Sequence, residues 1–106
     1  MRTLSSESSK TPLLTQHQIE LIRSLVRSHS DARIVLFGSR ATGSARKYSD
    51  VDICLVGDAR IPLETLARIN EGLEESNLPY VVEVSDFDRL SDHFRQAVER
   101  DGIDLG

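Results

Sequence analysis

The chain has 106 residues, 39% hydrophobic and 28% charged, with a formal net charge of −4 at pH 7. That length suits one compact domain with a single core, and the negative balance excludes broad electrostatic capture of a nucleic-acid backbone, which needs a basic surface. One cysteine, Cys54, excludes an intramolecular disulfide and a cysteine-rich zinc site.

Met1 to Pro12 are rich in Ser and Thr and nearly devoid of large apolar side chains. They cannot bury enough surface to offset ordering entropy, so residues 1–14 are expected to form a disordered tail before a folded domain at 15–106. The polar start carries no apolar signal segment, and no run approaches the roughly 18 apolar residues of a membrane span. A cytoplasmic protein is expected.

Thr15 followed by Gln18 is a capping-box pattern, and Ile19, Ile22, Leu25 and Val26 recur at helical spacing, so a helix should run to about Ser28–Asp31. Ile34 to Phe37 is a continuous apolar run, suited to a strand buried on both faces. Gly38 ends it, Ser39 is a candidate N-cap for a short helix Arg40–Thr42, and Gly43 is its stop. Ser44–Ser49 is a polar loop with Arg46 and Lys47, and Val51–Val56 is a second strand.

Pro62 suits a first helical turn, and Leu63, Leu66, Ile69 and Leu73 carry the helix to about Glu75. Tyr80–Val84 reads as a third strand, Asp86–Asp88 as a turn, and Ser91 as the N-cap of a last helix. That helix shows an apolar stripe of Phe94, Ala97 and Val98 and stops at Gly102, after which Ile103 and Leu105 could make a short final strand. The order predicts an α/β (α+β) sandwich, a small mixed sheet of about three strands flanked by about four helices.

Side chains alternate along a strand, so Asp50 and Asp52 share a face if the strand begins there, with Cα atoms roughly 6.5 Å apart. Two carboxylates so placed suit a hard cation such as Mg²⁺, whose remaining ligands are water and substrate phosphates. Alone, Asp-x-Asp at a strand start is also common turn chemistry. Beside Gly38–Ser39 at a helix N-terminus, where N–H groups attract phosphate, it becomes an anion site next to a cation site. Glu83, a charge inside an apolar strand, lies either on an exposed face or, if the third strand flanks the second, in the same cluster. Arg40, Arg46 and Lys47 read as solvated charges or as triphosphate partners, with Arg40 best placed. Cys54 shares the Asp52 face and reads as a buried small residue.

Gly38–Ser39, ten intervening residues, then Asp50–Val51–Asp52 resembles the signature of the DNA polymerase β-like nucleotidyltransferase superfamily. Phe37–Gly43, Ser49–Ile53, Leu78–Pro79–Tyr80 and Glu99–Ile103 are similar to the minimal nucleotidyltransferases (MNT), a likeness covering about residues 15 to 105. The resemblance implies transfer of a nucleoside monophosphate, AMP from ATP, to a hydroxyl with two Mg²⁺ ions. Asp50, Asp52 and Glu83 would hold the metals, and Gly38, Ser39 and Arg40 the triphosphate. It also implies an antitoxin paired with a helical HEPN-type toxin, which would supply the acceptor. The sequence departs from the family in having Glu83 where Asp is common. The alternative is an antitoxin that silences its partner by contact alone, and transfer to a small molecule ranks third.

Overall fold

The structure, a computed structural model, describes residues 14–43 and 50–106. The expected tail up to residue 13 and the Ser44–Ser49 loop, with Arg46, Lys47 and Ser49, lie outside them.

The first helix, α1, spans Gln16–Arg27. Its start follows from reciprocal bonds: the Gln18 N–H donates to Thr15 Oγ1 at 3.1 Å, and the Thr15 N–H donates to Gln18 Oε1 at 3.0 Å. Then come β1 (Arg33–Phe37), α2 (Ser39–Thr42), β2 (Val51–Val56), α3 (Leu63–Glu74), β3 (Val82–Asp86), a 3-10 turn (Phe87–Arg89), α4 (Asp92–Asp101) and β4 (Ile103–Asp104). The four strands form one sheet in the order β3-β2-β1-β4; β2 and β3 run parallel, and β1 is antiparallel to both β2 and β4. The mixed sheet of about three strands expected from the sequence is completed by a fourth, the short final strand anticipated at Ile103. Ile103 and Asp104 pair with Leu36 and Val35, completing the outer side of β1.

Strand parity divides the sheet into two faces. Ile34, Leu36, Val51, Ile53, Leu55, Val82 and Val84 pack with Ile22 and Val26 of α1 and Ile69 and Leu73 of α3 in the larger core. Val35, Phe37 and Cys54 face the other way and meet Val98 of α4 in a smaller cluster. That second face is only partly covered, which leaves room for a site. The stripe expected on α4 is correspondingly narrow: Val98 is buried, whereas Phe94 is 50% exposed.

The third strand starts two residues later than its β-branched run suggested and extends to Asp86. Its far end is held by the Asp86 carboxylate, 2% exposed, which accepts from the Ile61 N–H at 2.9 Å and the Asp88 N–H at 3.2 Å and pairs with Arg89 Nε at 3.5 Å. Its outer edge is satisfied by Asn70 of α3, whose side-chain amide bonds both the N–H and the C=O of Val84, at 2.9 and 3.1 Å. Asp86→Ala strands a buried N–H and an arginine, and urea unfolding should show a loss of about 2 kcal/mol.

Candidate active site

Gly38 joins β1 to α2 with φ 81° and ψ −156°, a region open in practice only to glycine. Its carbonyl accepts from the N–H groups of Ala41 and Thr42 at 3.0 and 3.1 Å, so Gly38, rather than the expected Ser39, is the N-cap. Ser39 becomes the first helical residue and stands among the N–H groups that a helix start leaves without internal partners. A helix of four residues builds little macrodipole, so any affinity for phosphate lies in those local N–H groups and the serine hydroxyl. Gly43, φ 85°, closes the helix as expected.

A Cβ placed on Gly38 would sit 2.6 Å from Oδ2 of Asp52. The turn therefore closes directly on that carboxylate, and only a missing side chain permits it. Asp52 is the second residue of β2, paired with Phe37 on β1 and with Glu83 on β3. Register partners on adjacent strands share a face, so Asp52 and Glu83 stand side by side on the less covered side of the sheet. Asp50 precedes β2 by one residue and is exposed; the strand itself begins at Val51, whose N–H donates to the Val81 carbonyl at 2.8 Å. Burial pushes the Asp52 carboxyl above its usual range, and the charges of Glu83 and then Asp50 push it further.

Asp52 and Glu83 line a cleft of about 180 Å³ with Phe37, Ser85, Leu90 and Phe94. Phe94, counted with the core from its helical spacing, is instead an aromatic wall of this cleft. A larger hollow of about 390 Å³ lies toward α3, lined by Asn70, Leu78, Tyr80 and Glu83 among others, but it does not reach Asp52. Asp52 lines the smaller cavity, and Glu83 lines both. Among the described residues no three potential ligands already close into a metal cage. The all-oxygen, mutually repelling set of Asp52, Glu83 and Asp50 still fits Mg²⁺, which takes one or two carboxylates and completes its shell with water and phosphate.

Arg40 is 7% exposed, and its guanidinium lies over the Tyr80 ring, 4.3 Å from the centroid. The solvated-charge reading is therefore excluded. The Tyr80 hydroxyl is buried with no hydrogen-bond partner among the described residues, and burial raises its pKa against the opposing charge of Arg40. Cys54 is fully buried as expected, its thiol pushed up to about 12 by burial and then by Asp86 and Asp88. A thiol-exchange reagent at pH 8 should leave the native protein unlabelled and react only after denaturation, because the thiolate is the reactive form.

The chain matches the nucleotidyltransferase domain family over residues 19–104. It is 38% identical over 72 residues to the probable protein adenylyltransferase MntA of Haemophilus influenzae, covering 66% of this chain and 61% of that protein. The chain thus spans less than two thirds of this curated relative. Among solved structures it is similar to a toxin–antitoxin with AMP-PNP, with TM-score 0.71 and 26% identity over 83% of this chain and 72% of that one. It is also similar in fold to a complex of MNT antitoxin with the tri-AMPylated HEPN toxin of Shewanella oneidensis, with TM-score 0.68 and 24% identity over 88% of this chain and 72% of that one.

Proposed function

Because the chain belongs to the nucleotidyltransferase domain family, we propose that it moves AMP from ATP onto a hydroxyl of a partner protein, and that the partner is a HEPN-type toxin for which this chain is the antitoxin. The observation that carries this reading is the register of Asp52 with Glu83 beneath a glycine turn closed on Asp52. The similarity to a toxin–antitoxin holding AMP-PNP supports the nucleotide and the kind of partner.

Asp52, with Asp50 and Glu83, would hold Mg²⁺. The ion supplies charge neutralisation of the triphosphate when bound. Gly38 and Ser39 receive the β- and γ-phosphates on backbone N–H groups and the serine hydroxyl. Strand β2 lies between β1, which delivers the Gly38 turn, and β3, which delivers Glu83. Donor phosphates would therefore lie on the β1 side of Asp52 and the attacking hydroxyl on the β3 side, which leaves hydroxyl and departing pyrophosphate on opposite sides of the α-phosphorus, as in-line displacement requires. A bond forms from the acceptor oxygen to the α-phosphorus as the bond to pyrophosphate breaks. Glu83 takes the acceptor's proton, and pyrophosphate leaves past Ser39.

The cytoplasm is the setting of this reading, where ATP and a reduced Cys54 belong. No helix among the described residues is long and apolar enough to cross a membrane. The net charge of −4 fits a protein partner better than a nucleic acid. The longer Glu83 keeps one second reading in view, an antitoxin that acts by contact alone. Incubating the chain with the partner toxin, Mg²⁺ and ATP labelled in the α-phosphate should place label on the toxin. Toxin inhibition that persists without label in the Asp50→Ala, Asp52→Ala double variant would overturn the catalytic reading in favour of contact.

A further inference from the structure

We propose that Arg40 and Tyr80 form a stacked clasp that sets the Gly38–Ser39 turn against the strand carrying Glu83, and that both are positioning residues, not ligands of the nucleotide. The kinetic part of this inference rests on the nucleotidyltransferase reading of the site.

Arginine is almost never this buried without a partner. Arg40 immediately follows Ser39, and its guanidinium stacks 4.3 Å from the centroid of the Tyr80 ring. Tyr80 packs against the larger core, the face of the sheet opposite Asp52 and Glu83. The Arg40 side chain thus reaches away from the carboxylates while its backbone belongs to the phosphate turn. The bonds from Ala41 and Thr42 to Gly38, and from Gly43 to Ser39, are internal to that turn. The stack reaches outside it, to the segment just before β3.

That segment is itself tied to the other half of the site. The carbonyl of Val81, next to Tyr80, accepts from the N–H of Val51, which stands between Asp50 and Asp52. One stack and one backbone bond thus connect the phosphate turn, the head of β2 and the strand of Glu83. The ring face makes this contact, and among the described residues the Tyr80 hydroxyl has no hydrogen-bond partner. A guanidinium is planar and stacks on a ring, whereas a lysine ammonium does not reproduce the contact.

The test combines AMP-transfer kinetics with hydrogen–deuterium exchange on the full chain, comparing wild type, R40K, Y80F, Y80L and the R40K/Y80L double variant. R40K and Y80L should each lower kcat about ten- to a hundredfold, with KM for ATP within about twofold, since misplacing reacting groups by an ångström costs on that order. The double variant should be no slower than the slower single variant, and Y80F should match wild type. Amides of residues 38–43 should exchange faster in R40K and Y80L. A rise in KM for ATP at unchanged kcat in R40K would make Arg40 a phosphate ligand and overturn the clasp, as would a Y80F loss equal to that of Y80L. If Y80L does not fold, R40K against Y80F carries the same readouts. If wild type transfers no AMP, the proposed function fails, and the clasp is judged on exchange alone: equal rates in wild type and R40K would refute it.

Discussion

Asp52→Asn should lower AMP transfer by about 10³-fold or more while raising the melting temperature of the nucleotide-free protein at pH 7. The loss follows from position. Asp52 is the carboxylate on which the Gly38 turn closes and beside which Glu83 stands, and asparagine offers a cation one neutral oxygen in place of a charged pair. The gain in stability follows from its titration. The folded-state pKa of Asp52 lies above the ordinary carboxylate value of 3.8, so the native state binds its proton more tightly than the unfolded chain. The contribution of Asp52 to stability is therefore most favourable at low pH, falls as pH rises from the unfolded toward the folded pKa, and carries the full penalty at pH 7. Asparagine has no charge to be repelled by Glu83 and Asp50. The gap between the two melting curves should close on acidification below pH 3.8, the unfolded value. A variant less stable than wild type at pH 7 would mean that Asp52 holds the fold together and is not a strained functional charge.

Gly38→Ala should cost about 1–3 kcal/mol of stability and about 10²-fold in transfer. Two effects combine at this residue. The backbone at φ 81° and ψ −156° disfavours any Cβ, and the added carbon would meet Asp52 Oδ2 at 2.6 Å. Relief requires either the turn or the carboxylate to move, and both are parts of the site. Gly43→Ala separates the two effects. Its φ of 85° also favours glycine, but a Cβ there has nothing within 4 Å among the described residues. It should lose about 1–2 kcal/mol in a thermal melt and retain most of its activity. Equal activity losses in the two variants would mean that backbone strain alone, without the approach to Asp52, governs the site.

Much of the site is legible in the chain because its parts are local. Thr15 and Gln18 cap α1 as their spacing indicates, since a capping box is complete within one turn. The β1 run, Gly38, Ser39 and the Asp50–Asp52 pair sit together because strand, turn and strand follow one another directly. The cap itself moved from Ser39 to Gly38: serine is the commoner cap, but the way β1 leaves the sheet demands a positive φ. The start of β3 moved as well: Tyr80 has the β propensity of a strand residue, but the ladder with β2 begins only at Val82, opposite Val51. Phe94 fits a helical stripe, yet its neighbours across the cleft are Asp52 and Glu83, so the stripe narrowed to Val98.

By itself the sequence determined the element order, the glycine–serine turn, the paired aspartates and the alternation that turns Val51, Ile53 and Leu55 into the core, because each depends on neighbours within a few residues. The parallel pairing of β2 with β3 decided the rest. It made Glu83, which is itself exposed, the neighbour of Asp52 on one face, and it brought Tyr80 under Arg40. It also set Asp86 where it holds the Ile61 N–H, and Val84 where Asn70 completes its edge. A shift of one residue in that register would turn Glu83 to the opposite face, and no local preference in either strand prevents such a shift. What prevents it is the burial of Val82 and Val84 against the larger core, a property of the assembled sheet.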